Sequence, residues 1–286
     1  MSETYAQLNQ DRDIIQVFRQ KGLYFIDIGA NDGITLSNTY LLEKKYNWIG
    51  ICSEPGNDYN KLKQVRNVIC DNDAVYSQSN LYLDFTNSGL FSGITEHISH
   101  NITNNNIKKI KTITLQDLLD KYNAPKIIHY MSLDTEGTEL EILKSVNLDE
   151  YKFLYINVEH NWEEPKRSNI RKLLLDNGYI FRYENKWDED YFHNSIITGT
   201  YYYKNDYSKP IIITLGEKDE KYNKYTIKVS SEYWEDDIGI FNPPQLEITW
   251  NKLGRGRVHY NYIIFKNHIW HRHIESQEHL DNMVDS

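Results

Sequence analysis

The fold is decided by the stretch Leu23-Tyr-Phe-Ile-Asp-Ile-Gly-Ala-Asn-Asp-Gly33 and by the apolar run after it, which ends at Glu54-Pro55. The first six residues are of strand type and lead directly into a turn that contains two glycines. Glycine lets the backbone turn tightly and approach a ligand without a side chain in the way. A strand, a glycine turn and a second strand that ends at an acid together predict the beginning of a parallel α/β sheet.

The same alternation of apolar runs and amphipathic segments continues to about residue 200, which predicts an α/β fold with a Rossmann-like, doubly wound and mainly parallel sheet. One interruption is Leu81-Tyr-Leu-Asp-Phe85, which alternates like an antiparallel or edge strand, and the polar residues 86–108 after it are typical of a long loop that closes a site. The predicted helices are 3–20, a segment through Leu36, Tyr40 and Leu42, then 59–65, 114–122, 140–146 and 165–177. The predicted strands are 23–28, 47–53, 67–70, 127–133, 153–158, 179–183 and 195–198.

Near Asn205 the pattern changes to short strands separated by polar turns, at 211–215, 225–229, 246–250 and 260–265. We therefore expect two domains, 1–204 with the parallel sheet and 205–286 as a small β-rich appendage. Within the appendage, His268-Ile-Trp-His-Arg-His273 resembles a metal-binding run, but its neighbours favour a strand.

The composition of the 286 residues favours a cytoplasmic protein whose partners are neither nucleic acids nor membranes. The net charge is -9, which repels polyanions. The sequence has no apolar run long enough to span a bilayer, and no signal peptide is visible. Its two cysteines, Cys52 and Cys70, fall in predicted strands and are expected to be reduced.

Acidic side chains recur where the predicted strands end. In a doubly wound sheet, ligands bind outside the carboxyl ends of the strands, so these are the residues expected to meet a ligand. They are Asp27 to Gly33, Glu54, Asp71 to Ala74, Asp134 to Glu139, and Glu159 with His160.

The glycine turn distinguishes two cofactors. Glu54 suits the two hydroxyls of a ribose, as in nicotinamide cofactor sites. A pyrophosphate, however, would be repelled by Asp27 and Asp32, whereas an amino group and a sulfonium would be attracted. S-adenosylmethionine carries both, so the turn favours it over a nicotinamide cofactor.

These motifs resemble the FkbM family of S-adenosylmethionine-dependent O-methyltransferases over roughly residues 5 to 200. The resemblance rests on Phe25-Ile-Asp-Ile-Gly-Ala-Asn-Asp-Gly33, on Glu54-Pro55 and on Asp134-Thr-Glu-Gly-Thr-Glu139. It implies that Asp27, Gly29, Asn31 and Gly33 surround the methionine end of the cofactor, where the charge of Asp32 is also expected to act. It also implies that Glu54 holds the ribose and that Asp73 and Ala74 lie at the adenine. Ser88 and Ser92, in the long loop, are expected to help close the site.

Methyl transfer to a hydroxyl needs a group that removes its proton. Asp134, Glu136 and His160 are the candidate catalytic residues. Asp134, Glu159 and His160 are a candidate ligand set for Mg²⁺ or Mn²⁺; the alternative is that the acids only orient substrate hydroxyls and that Glu159 shapes a loop. The resemblance implies a small acceptor, with a sugar or glycan precursor favoured. The alternatives are a nicotinamide-dependent oxidoreductase and a non-catalytic binding or scaffold protein.

Overall fold

Six short helices and nineteen strands form the chain in a computed structural model that describes residues 3–98, 106–203, 206–231, 236–260, 262–265 and 268–272. Within these ranges, no helix has the length and apolar character that crossing a bilayer requires. The helices are α1 (Gln10–Phe18), α2 (Tyr40–Tyr46), α3 (Tyr59–Val65), α4 (Leu115–Lys121), α5 (Glu139–Lys144) and α6 (Lys166–Asp176).

The strands fall into a central sheet, a small side sheet and a barrel. In chain order they are β1 (Tyr24–Ile28), β2 (Ile49–Ser53), β3 (Ile69–Asp71), β4 (Ala74–Val75), β5 (Tyr82–Thr86), β6 (Gly93–Ile94), β7 (Ile107–Ile113), β8 (Ile127–Leu133), β9 (Lys152–Glu159), β10 (Tyr179–Asn185), β11 (Asp188–His193), β12 (Gly199–Tyr203), β13 (Asp206–Asp219), β14 (Lys224–Ser230), β15 (Asp237–Asn242), β16 (Glu247–Trp250), β17 (Gly254–His259), β18 (Tyr262–Phe265) and β19 (His268–His271).

The central sheet has seven strands in the order β3-β2-β1-β8-β9-β11-β10. The first five are parallel to one another, and β11 runs antiparallel to both of its neighbours. The sheet is therefore mixed, and its parallel part carries the strand ends that the sequence singles out.

Helices cover both faces of this sheet, because the strands are apolar on both sides. Successive residues of β1 point to opposite faces: Phe25 packs in the cluster that contains residues of α1, α2 and α3, whereas Ile26 packs in the cluster with α4, α5 and α6. Helices therefore lie on both faces of a mixed sheet, which agrees with the predicted α/β class.

Three local predictions were wrong. The first helix begins at Gln10 and not at residue 3, since the Asp11 carboxylate accepts hydrogen bonds from the Tyr5 and Ala6 N–H groups and holds the preceding segment as a turn. The segment through Leu36 is not helical until Tyr40, and Leu36 itself has a positive φ of 56°. The last strand of the sheet is Asp188–His193, not 195–198.

The predicted loop 86–108 contains strand β6 and a short 3₁₀ turn, Gly89–Phe91. Residues 99–105 of that loop lie outside the described part of the chain. The strands β4, β5, β6 and β7 form a four-stranded side sheet in the order β4-β7-β5-β6. Strand β5 is antiparallel to both β6 and β7, so of the two interpretations of Leu81 to Phe85 the antiparallel one is correct and the edge-strand one is wrong.

The β-rich part of the chain is a closed barrel of eight antiparallel strands, β12 to β19, in which β12 pairs with β19. Closure leaves no free sheet edge. The expected boundary between residues 204 and 205 falls between the first two strands of this barrel. His268 to His271 forms β19, in agreement with the strand interpretation, and His273 lies outside the described residues.

The barrel interior is continuous with the core on one face of the central sheet. The Phe241 ring packs edge-on against Phe192 of β11, at 5.9 Å between ring centroids. The Arg272 guanidinium donates hydrogen bonds to the carbonyl oxygens of Ser195 and Ile196 and to the hydroxyl of Tyr201. We therefore expect the barrel and the sheet to unfold together.

This expectation is tested by Phe241→Ala, which removes a fully buried ring at the junction. The free energy of unfolding should fall by about 3–5 kcal/mol, with one transition seen by both circular dichroism and tryptophan fluorescence during urea denaturation. The control is Ile240→Ala, whose side chain is 41% exposed and which should change stability by about 0.5 kcal/mol. A separate barrel transition, with the main midpoint unchanged, would contradict the shared core.

Candidate functional site

The carboxyl ends of the parallel strands open into a cleft of about 340 Å³. Among the described residues that line it, none is lysine, arginine or histidine, so the protein supplies only negative side-chain charge to this space. Six carboxyl groups line it: Asp27, Glu54, Asp134, Glu136, Glu159 and Asp188. Five of these six are strand-end acids that the sequence predicted to converge.

The turn after β1 is fixed by its neighbours on both sides. The N–H groups of Gly29 and Ala30 donate to the Ser53 carbonyl at 3.0 and 3.1 Å. On the other side, a Cβ at Gly29 would lie 1.7 Å from the Asp134 carbonyl oxygen, and the φ of Gly29 is 90°. Only glycine satisfies both conditions, so this position holds the ends of β1 and β8 together.

Glu54 is fixed in the cleft by backbone donors. Its Oε2 accepts from the Asn31 N–H at 2.9 Å, and its Oε1 accepts from the Gly56 N–H at 2.5 Å. Burial raises the pKa of Glu54, while these two N–H groups act in the opposite direction. Each oxygen keeps a lone pair free, so the carboxyl group is pre-positioned to accept a pair of hydroxyl groups from a ligand.

Asp27 lies deeper, at 4% exposure, and its Oδ2 accepts from the Thr39 hydroxyl at 2.5 Å. Burial raises the pKa of Asp27, and the nearby Arg66 guanidinium lowers it. Arg66 is itself buried beneath the turn, where it pairs with Glu43 and donates to the Gly33 carbonyl oxygen at 3.3 Å and to the Thr39 hydroxyl at 3.0 Å. The arginine thus supports the loop that follows β1.

Two residues of the glycine turn, Asp32 and Gly33, do not line the cleft. Gly33 is buried and does not line it. The Asp32 carboxylate accepts from the N–H groups of Ile34 and Thr35 at 3.0 and 2.8 Å. Partial burial opposes the charge of Asp32, but these donors outweigh it and lower its pKa. Asp32 therefore shapes the turn, whereas Gly29 and Asn31 line the cleft.

After β3, the two residues expected at the adenine, Asp73 and Ala74, differ in whether they reach the cleft. Ala74 lines the cleft, but Asp73 does not. The Asp73 carboxylate faces Lys111 and Lys121 at 3.7 and 4.0 Å, and its carbonyl oxygen accepts from the Ser53 hydroxyl at 3.1 Å.

The mouth of the cleft includes part of the predicted closing loop. Ser92 lines it, and so do Leu90 and Phe91, which are about half exposed. The Ser88 side chain does not line the cleft, although its N–H donates to the Ser92 Oγ at 2.8 Å. This short segment therefore places apolar surface at the entrance.

The loop after β8 is organised by Glu139, the last residue of the acidic motif. Its Oε1 accepts from the N–H groups of Thr135 and Gly137, both at 3.0 Å, and its Oε2 lies 3.2 Å from the Lys166 Nζ. Glu139 is fully buried, and it supports the loop that presents Asp134 and Glu136 to the cleft.

Asp134, Glu136 and Glu159 form what we call the carboxylate cluster, in which one oxygen of each lies within 4.8 Å of the others. The surface that Asp134 exposes faces into the cleft, so its carboxyl group is still shielded from bulk water, while Glu136 is half-buried and Glu159 is buried. This loss of solvation and the mutual repulsion raise the pKa of both Asp134 and Glu159, and burial, followed by repulsion from Glu139, raises that of Glu136 to about 7. The cluster is therefore suited to bind a proton or another cation.

His160 does not join this cluster, so the expected ligand set of Asp134, Glu159 and His160 is not assembled. The His160 N–H donates to the Trp187 carbonyl oxygen at 2.8 Å, which turns the chain away at the end of β9. Its ring lies beside Glu184 and Glu189 and is not part of the cleft lining. Burial lowers the pKa of this imidazole. Because its ring does not reach the cleft, His160 is no longer a candidate catalytic residue.

Several lining residues escaped the sequence analysis. Gln10 donates from Nε2 to the Asp188 Oδ2 at 2.7 Å, which brings the N-terminal segment to the cleft, and burial raises the pKa of Asp188 to about 6. Asn38 donates to the Ser132 hydroxyl at 3.0 Å, and its own Oδ1 is buried with no partner among the described residues. The one signal in the sequence that could have indicated Asn38 was the polar run Ser37-Asn-Thr39 within a predicted helix.

The close approach at Gly29 is tested by Gly29→Ala. Its new methyl group would overlap the Asp134 carbonyl oxygen, so the loss of stability should exceed the cost of a positive φ alone, about 1–2 kcal/mol. Gly89→Ala is the matched control, because Gly89 also has a positive φ (62°) but no heavy atom within 4 Å of an added Cβ. Equal losses for the two variants in urea denaturation would show that the contact is unimportant.

Comparisons with known structures give only distant matches. The METTL16 methyltransferase domain is 12% identical over 64% of this chain and 64% of that domain, less than two thirds of its length, with a TM-score of 0.38. The precorrin-6y C5,15-methyltransferase from Geobacter metallireducens is 13% identical over 83% of this chain and 88% of its own (TM-score 0.35). A methyltransferase from Aquifex aeolicus is 12% identical over 65% and 88% (TM-score 0.33). No curated protein matches the sequence at a significant level.

A protein-family model gives a more direct result. The model described as the methyltransferase FkbM domain matches residues 27–181, which is more than half of the chain. The matched range begins at Asp27 and includes the acidic motif after β8, so the resemblance predicted from these residues is confirmed. The chain therefore belongs to the FkbM family of methyltransferases.

Proposed function

We propose that the protein is an S-adenosylmethionine-dependent O-methyltransferase that methylates a hydroxyl group of a small acceptor, of which a sugar or glycan precursor is the favoured kind. The observation that carries this proposal is the cleft at the ends of the parallel strands, which is lined by six carboxyl groups and by no basic side chain of the described residues. Family membership supports methyl transfer, and the negative cleft supports a positively charged donor.

The cofactor would lie along the ends of β1, β2 and β3. The Glu54 carboxyl group, already fixed by two N–H donors, would accept the ribose hydroxyls. Asp27, Gly29 and Asn31 would lie beside the methionine part, and Ala74 beside the adenine. The buried Oδ1 of Asn38, which has no protein partner among the described residues, is suited to accept from the amino group of the cofactor.

A nicotinamide cofactor fits this cleft less well. Its pyrophosphate normally lies at the N-terminus of the helix that follows the first strand. Here α2 begins only at Tyr40, and the lining offers the phosphates no basic side chain among the described residues. The carboxylate cluster would repel them.

The acceptor would occupy the end of the cleft that contains the carboxylate cluster. Trp187 and Asn161 also line the cleft, and an aromatic face with amide and carboxyl groups suits the apolar and hydroxyl surfaces of a sugar ring. In the reaction the acceptor oxygen attacks the methyl carbon, the carbon–sulfur bond breaks, and its electron pair remains on sulfur as S-adenosylhomocysteine forms. The hydroxyl proton passes to a carboxylate of the cluster and then to water through the exposed Asp134.

Calorimetry with S-adenosylhomocysteine tests the cofactor assignment. The wild-type protein should bind it, and Glu54→Gln should weaken binding at least tenfold, because the carboxylate is lost from the ribose position. The control is Asp58→Asn, since Asp58 pairs with Lys61 and does not line the cleft. Binding of NAD without a response to S-adenosylhomocysteine would refute the proposal.

The acceptor assignment is tested with S-adenosylmethionine labelled with ¹³C in the methyl group and a panel of methyl glycosides. Transfer to oxygen gives a methoxy signal in the carbon NMR spectrum, at a shift distinct from that of an N-methyl or C-methyl product. We expect methoxy products that disappear in Asp134→Asn. Labelled N-methyl or C-methyl products would contradict O-methylation.

A further inference from the structure

The carboxylate cluster differs from other buried acids in lacking a cation or hydrogen-bond donor as partner among the described residues. Elsewhere such acids have one or the other: Glu43 pairs with Arg66, Asp71 pairs with Lys121, and Asp11 accepts from backbone N–H groups. Around His160 the acids Glu184 and Glu189 likewise pair with arginines. Among the described residues, no lysine or arginine forms an ion pair with Asp134, Glu136 or Glu159.

The other acids that line the cleft also have donors. Asp27 receives a hydrogen bond from Thr39, Glu54 receives two from backbone N–H groups, and Asp188 receives one from Gln10. Within the carboxylate cluster, no side chain receives a hydrogen bond from a donor among the described residues. The described part of the chain thus leaves these three groups to be satisfied by something else.

The buried member of the cluster gives an independent indication of a ligand. Glu159 is only 6% exposed, lines the cleft, and has an Oε2 that is buried without a hydrogen-bond partner among the described residues. An unpaired carboxylate oxygen in such a place is destabilising unless a ligand binds it. Lys166, the nearest candidate for compensation, is already paired with Glu139 and Glu163 at 3.2 and 2.8 Å.

We propose that Asp134, Glu136 and Glu159 together bind one divalent metal ion, Mg²⁺ or Mn²⁺, at the acceptor end of the cleft. Three carboxylates from a strand end and an adjoining loop offer the hard oxygen ligands that these ions prefer, and the cleft leaves room for water or an acceptor oxygen to complete the coordination. The three oxygens already lie within 4.8 Å of one another, so small side-chain rotations bring them to one centre.

The catalytic meaning of this site rests on the proposed function. An ion held by these three residues would make a hydroxyl group beside it more acidic and would so assist its deprotonation. Without the ion, the carboxylates keep the role of proton acceptor, so the methyltransferase assignment does not depend on the metal.

The test is a titration of the chelator-treated, full-length protein with Mn²⁺, followed by the electron paramagnetic resonance signal of the free ion, with S-adenosylhomocysteine present. We expect one Mn²⁺ per chain, displaced by excess Mg²⁺. Glu159→Gln and Glu136→Gln should each weaken binding at least tenfold. Glu141→Gln is the matched control, because Glu141 lies nearby on α5, pairs with Lys144 and is outside the cleft.

Glu136 is half-buried in a loop, so Glu136→Gln is expected to fold even if Glu159→Gln does not. A crystal soaked with Mn²⁺ should then show an anomalous peak about 2.2 Å from an oxygen of each cluster residue. The proposal is overturned if no stoichiometric Mn²⁺ binds while S-adenosylhomocysteine still does, or if Glu136→Gln binds Mn²⁺ like the wild type. Loss of S-adenosylhomocysteine binding in the wild type would instead reject the proposed function.

Discussion

The close contact between the ends of β1 and β8 determines where the chemistry of this protein can take place. Gly29 lies directly against the Asp134 carbonyl, and the Asp134 N–H donates a hydrogen bond to the Ile28 carbonyl oxygen at 3.0 Å. On the other side, the Gly29 N–H donates a hydrogen bond to the Ser53 carbonyl oxygen. Three strand ends are thereby fixed at one point. Since the carbonyl group of Asp134 touches the glycine turn, the acidic loop after β8 cannot move away from the proposed cofactor position.

Six carboxyl groups in one cleft repel one another, and the protein compensates for this repulsion differently at the two ends of the cleft. At the proposed cofactor end, hydrogen-bond donors hold Asp27 and Glu54, with Arg66 buried beneath the turn. At the proposed acceptor end, the carboxylate cluster has no ion-pair partner among the described residues. Burial and repulsion raise the pKa of these carboxyl groups, so they take up protons more readily than ordinary carboxyl groups do, and a bound cation would compete with those protons.

The parallel strands could be predicted because their apolar runs are local. The run 127–133, for example, lies between turn residues and became β8 almost unchanged. Strand β11 could not be found this way, because Asp188, Glu189 and Asp190 are buried within it. Their partners are Gln10, two arginines of α6 and Tyr155, and only the folded chain brings these together.

In the candidate site, too, some residues could be predicted from a local pattern and others could not. Asp27, Gly29, Glu54 and Asp134 were identified because each lies within two residues of the end of a strand, and the end of a parallel strand is a defined place. The direction of a side chain beyond a strand end depends on the next turn, which is why His160 was predicted in the cleft and lies outside it. Closure of the barrel depends on the pairing of β12 with β19, about seventy residues apart, and no local pattern reports such a contact.

The central claim is that a positively charged methyl donor binds where the strand-end acids meet. A crystal structure of the complex with S-adenosylhomocysteine tests it most directly. The account predicts that both ribose hydroxyls lie within hydrogen-bond distance of the Glu54 carboxyl group and that the sulfur atom faces Asp134 across the cleft. A ligand bound elsewhere, or a ribose that does not contact Glu54, would contradict it.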